Sequence, residues 1–253
     1  MNILNKIIEQ KKAEIKTLDY KASNDKSFNT KSLVNALSKG RISIIAEIKF
    51  KSPSTGKIMD AKNIIDIAKS YEKSGASALS ILTDRTFFDG DIRFIEQVAN
   101  HVSIPIIRKD FIISKRQIIE SGIFSADGLL LIADILDEKK LEQLYRYASK
   151  LNIYTLIEVH KRLNLEKVLR LRPKIIGVNC RNLYTMETDI SHFDNLIKEL
   201  PNDIIKVAES GISSSREIMH LEDLGYDAVL IGTSLMKTEH PGNKLKSIIG
   251  EFV

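Results

Sequence analysis

Eight short apolar, β-rich runs separated by helical patterns constrain this chain more than any other feature. The runs are SIIAEIK (43–49), ALSILT (78–83), IPIIRK (104–109), GLLLIA (128–133), IYTLIEV (153–159), KIIGVN (174–179), DIIKVAE (203–209) and AVLIGT (228–233). Between them lie amphipathic stretches such as AKNIIDIAKSYEKSG, SKRQIIESG, DEKKLEQLYRYASK and SSREIMHLEDLG. Strict alternation of this kind demands parallel strands joined by right-handed crossovers. Eight units at a mean repeat of about 26 residues fit a (β/α)8 TIM barrel better than an open doubly wound sheet. The glycine-rich dinucleotide fingerprint is also missing, because SPSTG follows the first strand where GxGxxG would be needed.

The expected organisation is a single domain over residues 1–253, with a helical extension, 1–42, ahead of the first strand. Residues 2 to about 19 read as an amphipathic helix with Ile3, Leu4, Ile7, Ile8, Ile15 and Leu18 on one broad apolar face. YKASNDKSFNTK (20–31) reads as a loop, and SLVNALSKG as a short helix closed by Gly40.

Composition removes several function classes. No window approaches the roughly 20 apolar residues of a membrane span, and the amino terminus lacks the continuous apolar core of a signal peptide. One cysteine, Cys180, excludes a disulfide framework and a multi-thiolate metal site, and a reducing cytoplasm is the expected compartment. The net charge of +5 is spread among 33 acidic residues without a basic run, so no nucleic-acid partner is expected. His101, His160, His192, His220 and His240 show no ligand spacing and read as ordinary helix and loop residues. No metal is expected.

In such barrels the chemistry sits at the carboxyl ends of the strands. Side-chain alternation puts Ser43, Ile45, Glu47 and Lys49 on one face of the first strand, and Ile44, Ala46, Ile48 and Phe50 on the other. Taken alone, Glu47 and Lys49 suit a surface ion pair on an edge strand equally well. The pattern recurs, however, with Lys109 ending the third strand, Glu158 the fifth, Asn179 and Arg181 the sixth, and Glu209 with Ser210 the seventh. Apolar or small residues precede each on the same face. Three carboxylates and two ammonium groups in one partly desolvated mouth perturb one another's proton affinities, as acid–base catalysis requires. On this reading Lys109 and Lys49 lose proton affinity and the carboxyls gain it. AESGISSSRE and IGTSLMK, after the last two strands, are small-residue turns leading into helix starts. Gly211 and Gly232 there suit close approach to a phosphate group.

AEIKFKSPSTG, RKDFI, LIEVH, IGVNCRNL, AESGI and IGTSLM, in this order and spacing, resemble the indole-3-glycerol phosphate synthase family. The resemblance runs through essentially the whole chain, helical extension included. It implies a cofactor-free carboxy-lyase of tryptophan biosynthesis, which closes 1-(2-carboxyphenylamino)-1-deoxyribulose 5-phosphate into an indole with loss of carbon dioxide and water. It further implies Lys109 as general acid and Glu158 as catalytic glutamate, assisted by Glu47 and Lys49. Asn179 and Glu209 would orient sugar hydroxyls or catalytic groups, and Ser52 and Arg181 would lie near the substrate carboxylate. Pro53, Phe88, Phe111 and Leu130 would clamp the aromatic ring, while Lys49, Ser210, Gly211, Gly232 and Thr233 would meet the phosphate. Cys180, Asp91 and Thr233 depart from the commonest family pattern, and tuned affinity is the expectation for the first and third. The partner implied is a phosphorylated small molecule, and a monomer is expected. Two rival readings stay open on the residues: a phosphosugar isomerase of the same barrel type, and a catalytically silent barrel that binds an anionic metabolite or a partner protein.

Overall fold

The structure, a computed structural model, describes residues 2–20, 27–38, 40–60 and 63–250. Among them, eight parallel strands close into a barrel: β1 (Ser43–Ile48), β2 (Ala78–Leu82), β3 (Ile106–Lys109), β4 (Gly128–Ile132), β5 (Tyr154–Val159), β6 (Ile175–Asn179), β7 (Ile205–Glu209) and β8 (Ala228–Ile231). Each strand pairs with its sequence neighbours, and β1 closes on β8 through Ile45↔Leu230. Helices such as Ile64–Lys73, Lys115–Ile123, Glu138–Lys150 and Ser215–Leu224 occupy the crossovers, and Pro241–Gly250 follows β8. All eight expected strands are present, within two residues of their expected bounds. β3 starts at Ile106 rather than Ile104, since Pro105 has no N–H to donate and contributes only its carbonyl, to Leu79 N at 2.9 Å.

Alternation along the strands divides the buried apolar residues into two clusters. Ile44, Ala46, Ile48 and Phe50 face outward and join Ile64, Ile67, Ala68 and Tyr71 in the layer between barrel and helices. Ile45, Ala78, Ile107, Leu130, Leu156, Ile175, Val207 and Leu230 face inward and fill the barrel. The two faces of the first strand are those expected from the sequence.

The extension spans both ends of the barrel. Helix α1 (Ile3–Thr17), capped by the Asn2 side chain on Asn5 N at 2.9 Å, lies across the carboxyl ends of β2–β4. Of its expected apolar face, Leu4 and Ile7 are buried, Ile3, Ile8 and Ile15 are half-buried, and Leu18 is the cap residue. Helix α2 (Leu33–Leu37) sits at the opposite end, where Leu33 packs beside Gly128 and Tyr154 Oη meets Ser32 Oγ at 3.2 Å. Gly40 does not close this helix. The helix stops at Leu37 with Ser38 as its cap, and Gly40 takes its positive φ of 75° in the turn that delivers the chain to β1. Of the loop expected at 20–31, residues 21–26 lie outside the described residues, as do Ala61 and Lys62 at the head of the next helical pattern.

Leu156, 1% exposed inside the barrel, tests the interior packing. Replacing Leu156 with Ala should cost about 2–5 kcal/mol, read in urea as a lower midpoint at unchanged slope.

Candidate active site

The carboxyl ends of the strands surround a cavity of about 550 Å³. Every site residue expected from the sequence lines it: Glu47, Lys49, Ser52, Pro53, Phe88, Lys109, Phe111, Leu130, Glu158, Asn179, Arg181, Glu209, Ser210, Gly211, Gly232 and Thr233. The register explains this convergence. Leu82 pairs with Lys109, Glu158 with Gly177, and Asn179 with Glu209, so inward-facing positions near the ends of adjacent strands reach a common level.

Lys109 is the centre of the charge arrangement. Its Nζ lies 3.4 Å from Glu158 Oε2 and 3.8 Å from Glu209 Oε2. Two strands away, at the end of β1, Lys49 Nζ pairs with Glu47 Oε1 at 2.7 Å. The carboxyls are almost wholly buried, and room for two of them comes from glycine. A Cβ on Gly177 would collide with the Glu209 carboxyl, and one on Gly232 with that of Glu47. Gly232 is therefore required by the charge cluster as well as by the loop it opens.

Proton affinities follow from this crowding. Burial works against the Lys109 ammonium, but Glu158, Glu209 and Glu47 outweigh it and hold the lysine protonated, with its pKa raised. This reverses the sequence expectation of a lowered lysine, because its close neighbours are carboxyls rather than cations. Burial also opposes the charged form of Glu47, yet Lys49, Lys109 and Arg181 draw its pKa below the usual value. Glu209 behaves oppositely. Burial, reinforced by Glu158 and Glu47, raises it well above the usual range against the pull of Lys109. A proton on Glu209 removes its repulsion with the Glu158 carboxylate.

The cavity has two chemically distinct ends. At one, the rings of Phe88 and Phe111 stand 6.1 Å apart at 39°, with Pro53 and Leu130 also in the lining. At the other, Ser210 and Gly211 follow β7 with φ of 74° and 72°, and Gly232 leads into the short helix Thr233–Met236. Ser234 Oγ donates to Ile212 O at 3.1 Å and ties the two loops together. First-turn N–H groups of such a helix have no intrahelical acceptor and are open to an anion.

Several lining or supporting residues carry no signal of their own in the sequence. Ser54 bridges Ser52 Oγ at 3.3 Å and Arg181 Nη1 at 3.4 Å, inside the ribbon formed by Lys51–Ser52 and Gly56–Lys57. Lys237, Ser213, Leu183 and Met186 also line the cavity; proximity to the recognised motifs is their only trace. His160 is not an ordinary loop residue. Directly after β5, its Nδ1 contacts Asn179 O at 2.8 Å, and the carbonyl of His160 is 2.7 Å from His192 Nε2.

The sequence model described as Indole-3-glycerol phosphate synthase matches residues 4–248. The chain belongs to this family. The indole-3-glycerol phosphate synthase of Priestia megaterium is 40% identical over 252 residues, covering 98% of both chains. That of Aliarcobacter butzleri is 40% identical over 246 residues, covering 93% of this chain and 94% of its own. That of Shouchella clausii is 39% identical over 253 residues, covering 99% and 97%. Of the three positions expected to depart from the family pattern, Cys180 is buried, its thiol pushed up to about 12 by burial, and it donates to Ser210 O at 3.3 Å. Asp91 pairs with Arg93 at 2.6 Å and Arg85 at 3.0 Å, outside the cavity lining. Thr233 lines the cavity itself.

The raised Glu209 pKa sets a stability signature. Above the ordinary glutamate value, the folded protein retains a proton that the unfolded chain releases, so this group lowers stability as pH rises through that window. Glu209→Gln removes the linkage. Its thermal midpoint should exceed that of the wild type at neutral pH and converge with it in acid, as measured by melts across pH.

Proposed function

We propose that this chain converts 1-(2-carboxyphenylamino)-1-deoxyribulose 5-phosphate to indole-3-glycerol phosphate, with release of carbon dioxide and water. The observation that carries the reading is the placement of the protonated Lys109 beside Glu158 and Glu209, between an aromatic clamp and two glycine-containing loops in one cavity. Family membership supports the same reaction.

In this reading Phe88, Phe111, Pro53 and Leu130 hold the anthranilate ring, and Arg181 with Ser52 faces its carboxylate. Ser210, Gly211, Gly232 and Thr233 take the phosphate, with Lys49 in reach. Bringing the ring carbon that bears the carboxylate against the ketone carbon makes closure effectively unimolecular.

As the carbon–carbon bond forms, the ketone oxygen takes a proton from Lys109 and becomes a hydroxyl. The carbon–carboxylate bond then breaks, and its electron pair restores the aromatic ring. The hydroxyl departs as water with a second proton from the acid groups around Lys109, and loss of a ring proton completes the indole double bond. Glu158, beside Lys109, and the Glu47–Lys49 pair at the end of β1 are the groups for these later transfers. Asn179, its amide oxygen 2.9 Å from Arg181 N, and Glu209 orient the reacting groups. The sequence of steps is redox-neutral and uses only side chains of this chain.

The expected domain organisation is kept as part of this proposal: one barrel domain with its helical extension. Action as a monomer is likewise kept as part of this proposal. A cytoplasmic location is supported by the one cysteine, buried as a thiol, and no helix among the described residues is long and apolar enough to cross a membrane.

Incubation with the carboxyphenylamino substrate should generate indole fluorescence. Lys109→Ala should lose about 10²–10⁴-fold in turnover while keeping the far-ultraviolet circular dichroism of the wild type. A Lys109→Ala variant with wild-type turnover would overturn the assignment of the acid, and a silent wild type would overturn the reaction.

A further inference from the structure

One charged side chain sits on the buried stripe of α1. Lys11 continues the spacing of Leu4 and Ile7, is 3% exposed, and projects its ammonium among three carboxylates: Asp84 at 2.8 Å, Asp110 at 2.9 Å and Glu14 at 2.8 Å. Two of these stand at the active-site ends of neighbouring strands. Asp110 lies between Lys109 and Phe111, and its Oδ1 also accepts from Phe111 N at 2.8 Å. Its Oδ2 accepts from Thr83 Oγ1 at 2.6 Å and from Arg108 Nη2 at 3.1 Å. Asp84 caps the short helix Arg85–Phe88 through Phe87 N at 2.7 Å. One ammonium therefore ties the end of β3, with Lys109 and the following Phe111, to the short helix that carries Phe88.

From this geometry we propose that Lys11 is a positioning residue for the reaction: through Asp110 and Asp84 it fixes Lys109 against Glu158 and sets the spacing of the Phe88–Phe111 clamp. The inference rests on the function proposed above. The physical argument is the burial of like charges. Asp84 and Asp110 are 0% and 2% exposed, so without Lys11 two carboxyls face each other in a medium that screens them poorly. Arg108 remains with Asp110 and Glu120, leaving Asp84 without a cation. The strain is relieved by separating the two segments or by taking up a proton, and separation moves the backbone of Lys109. Its ammonium works over contacts of 3.4 and 3.8 Å, where small displacements are costly.

The test compares Lys11→Met, Lys11→Arg and the double variant Lys11→Met/Asp84→Asn with the wild type. The Asp84→Asn change keeps a side-chain acceptor for Phe87 N and removes one of the facing charges. Lys11→Met should lower kcat by about 10²-fold with a smaller change in KM, and Lys11→Arg should recover part of it. The double variant should regain thermal stability because the facing charges are gone, but not kcat, because no ammonium then ties Asp84 to Asp110, and its crystal structure should show Lys109 displaced from Glu158. If kcat instead follows stability back to the wild-type level, or if Lys109 and the two phenylalanines keep their places without Lys11, the proposal is overturned. Turnover by the wild type tests the function separately, and the crystal structures decide the position of Lys109 whatever that assay gives.

Discussion

The structure depends on one demanding arrangement: a half-buried ammonium, Lys109, among three buried carboxyl groups at the mouth of a barrel whose interior is otherwise apolar. Charges removed from water are tolerated only when paired, hydrogen-bonded or neutralised by a proton. All three remedies operate here. Lys109 is shared between Glu158 and Glu209, Glu47 has its own partner in Lys49, and Glu209 is pushed toward its neutral form. Barrel closure supplies the setting, since inward side chains from different strands have nowhere to go except toward one another at the open end.

Much of the remaining local structure serves that arrangement. Gly177 and Gly232 leave space for carboxyls that any Cβ would strike. Behind β3, Arg108 binds Thr83, Gln117 O, Asp110 and Glu120, anchoring the strand that presents Lys109 on its other face. His160 performs a comparable service for Asn179, gripping its carbonyl from the end of β5. The inner face carries the reacting groups, and the outer face carries the bonds that hold them still.

The strands and their faces are legible because a period of two residues and a run of β-branched side chains are local signals. So are the charged strand ends, which break an apolar pattern at a position the fold makes meaningful. Contacts between distant segments leave weaker traces. Ser54 reaches Arg181 across 127 residues, and His160 grips Asn179 from another strand, and neither interaction alters the local pattern. Lys11 does leave a trace, a lysine inside the apolar stripe of α1, but a single charge on a helix is usually solvated and its burial depends on loops far along the chain. The proton affinity of Lys109 runs against the sequence expectation for a related reason. Its sign depends on which neighbours are nearest, and sequence spacing gives the members of a cluster without their distances.

The raised proton affinity of Glu209 also bears on how the cavity receives its ligand. Apart from Asp110, which is paired with Lys11 and Arg108, three cationic side chains, Lys49, Lys109 and Arg181, face three carboxyl groups, Glu47, Glu158 and Glu209. Were all three carboxyls charged, the six would cancel and a substrate carrying both a carboxylate and a phosphate would meet no net attraction. Holding a proton on Glu209 tips the balance toward positive charge without adding another cation, while the exposed Lys237 extends the positive lining beside the loops after β7 and β8. Burial of Glu209 thus does two things at once: it stores a proton next to Lys109, and it leaves the cavity electrostatically suited to an anion.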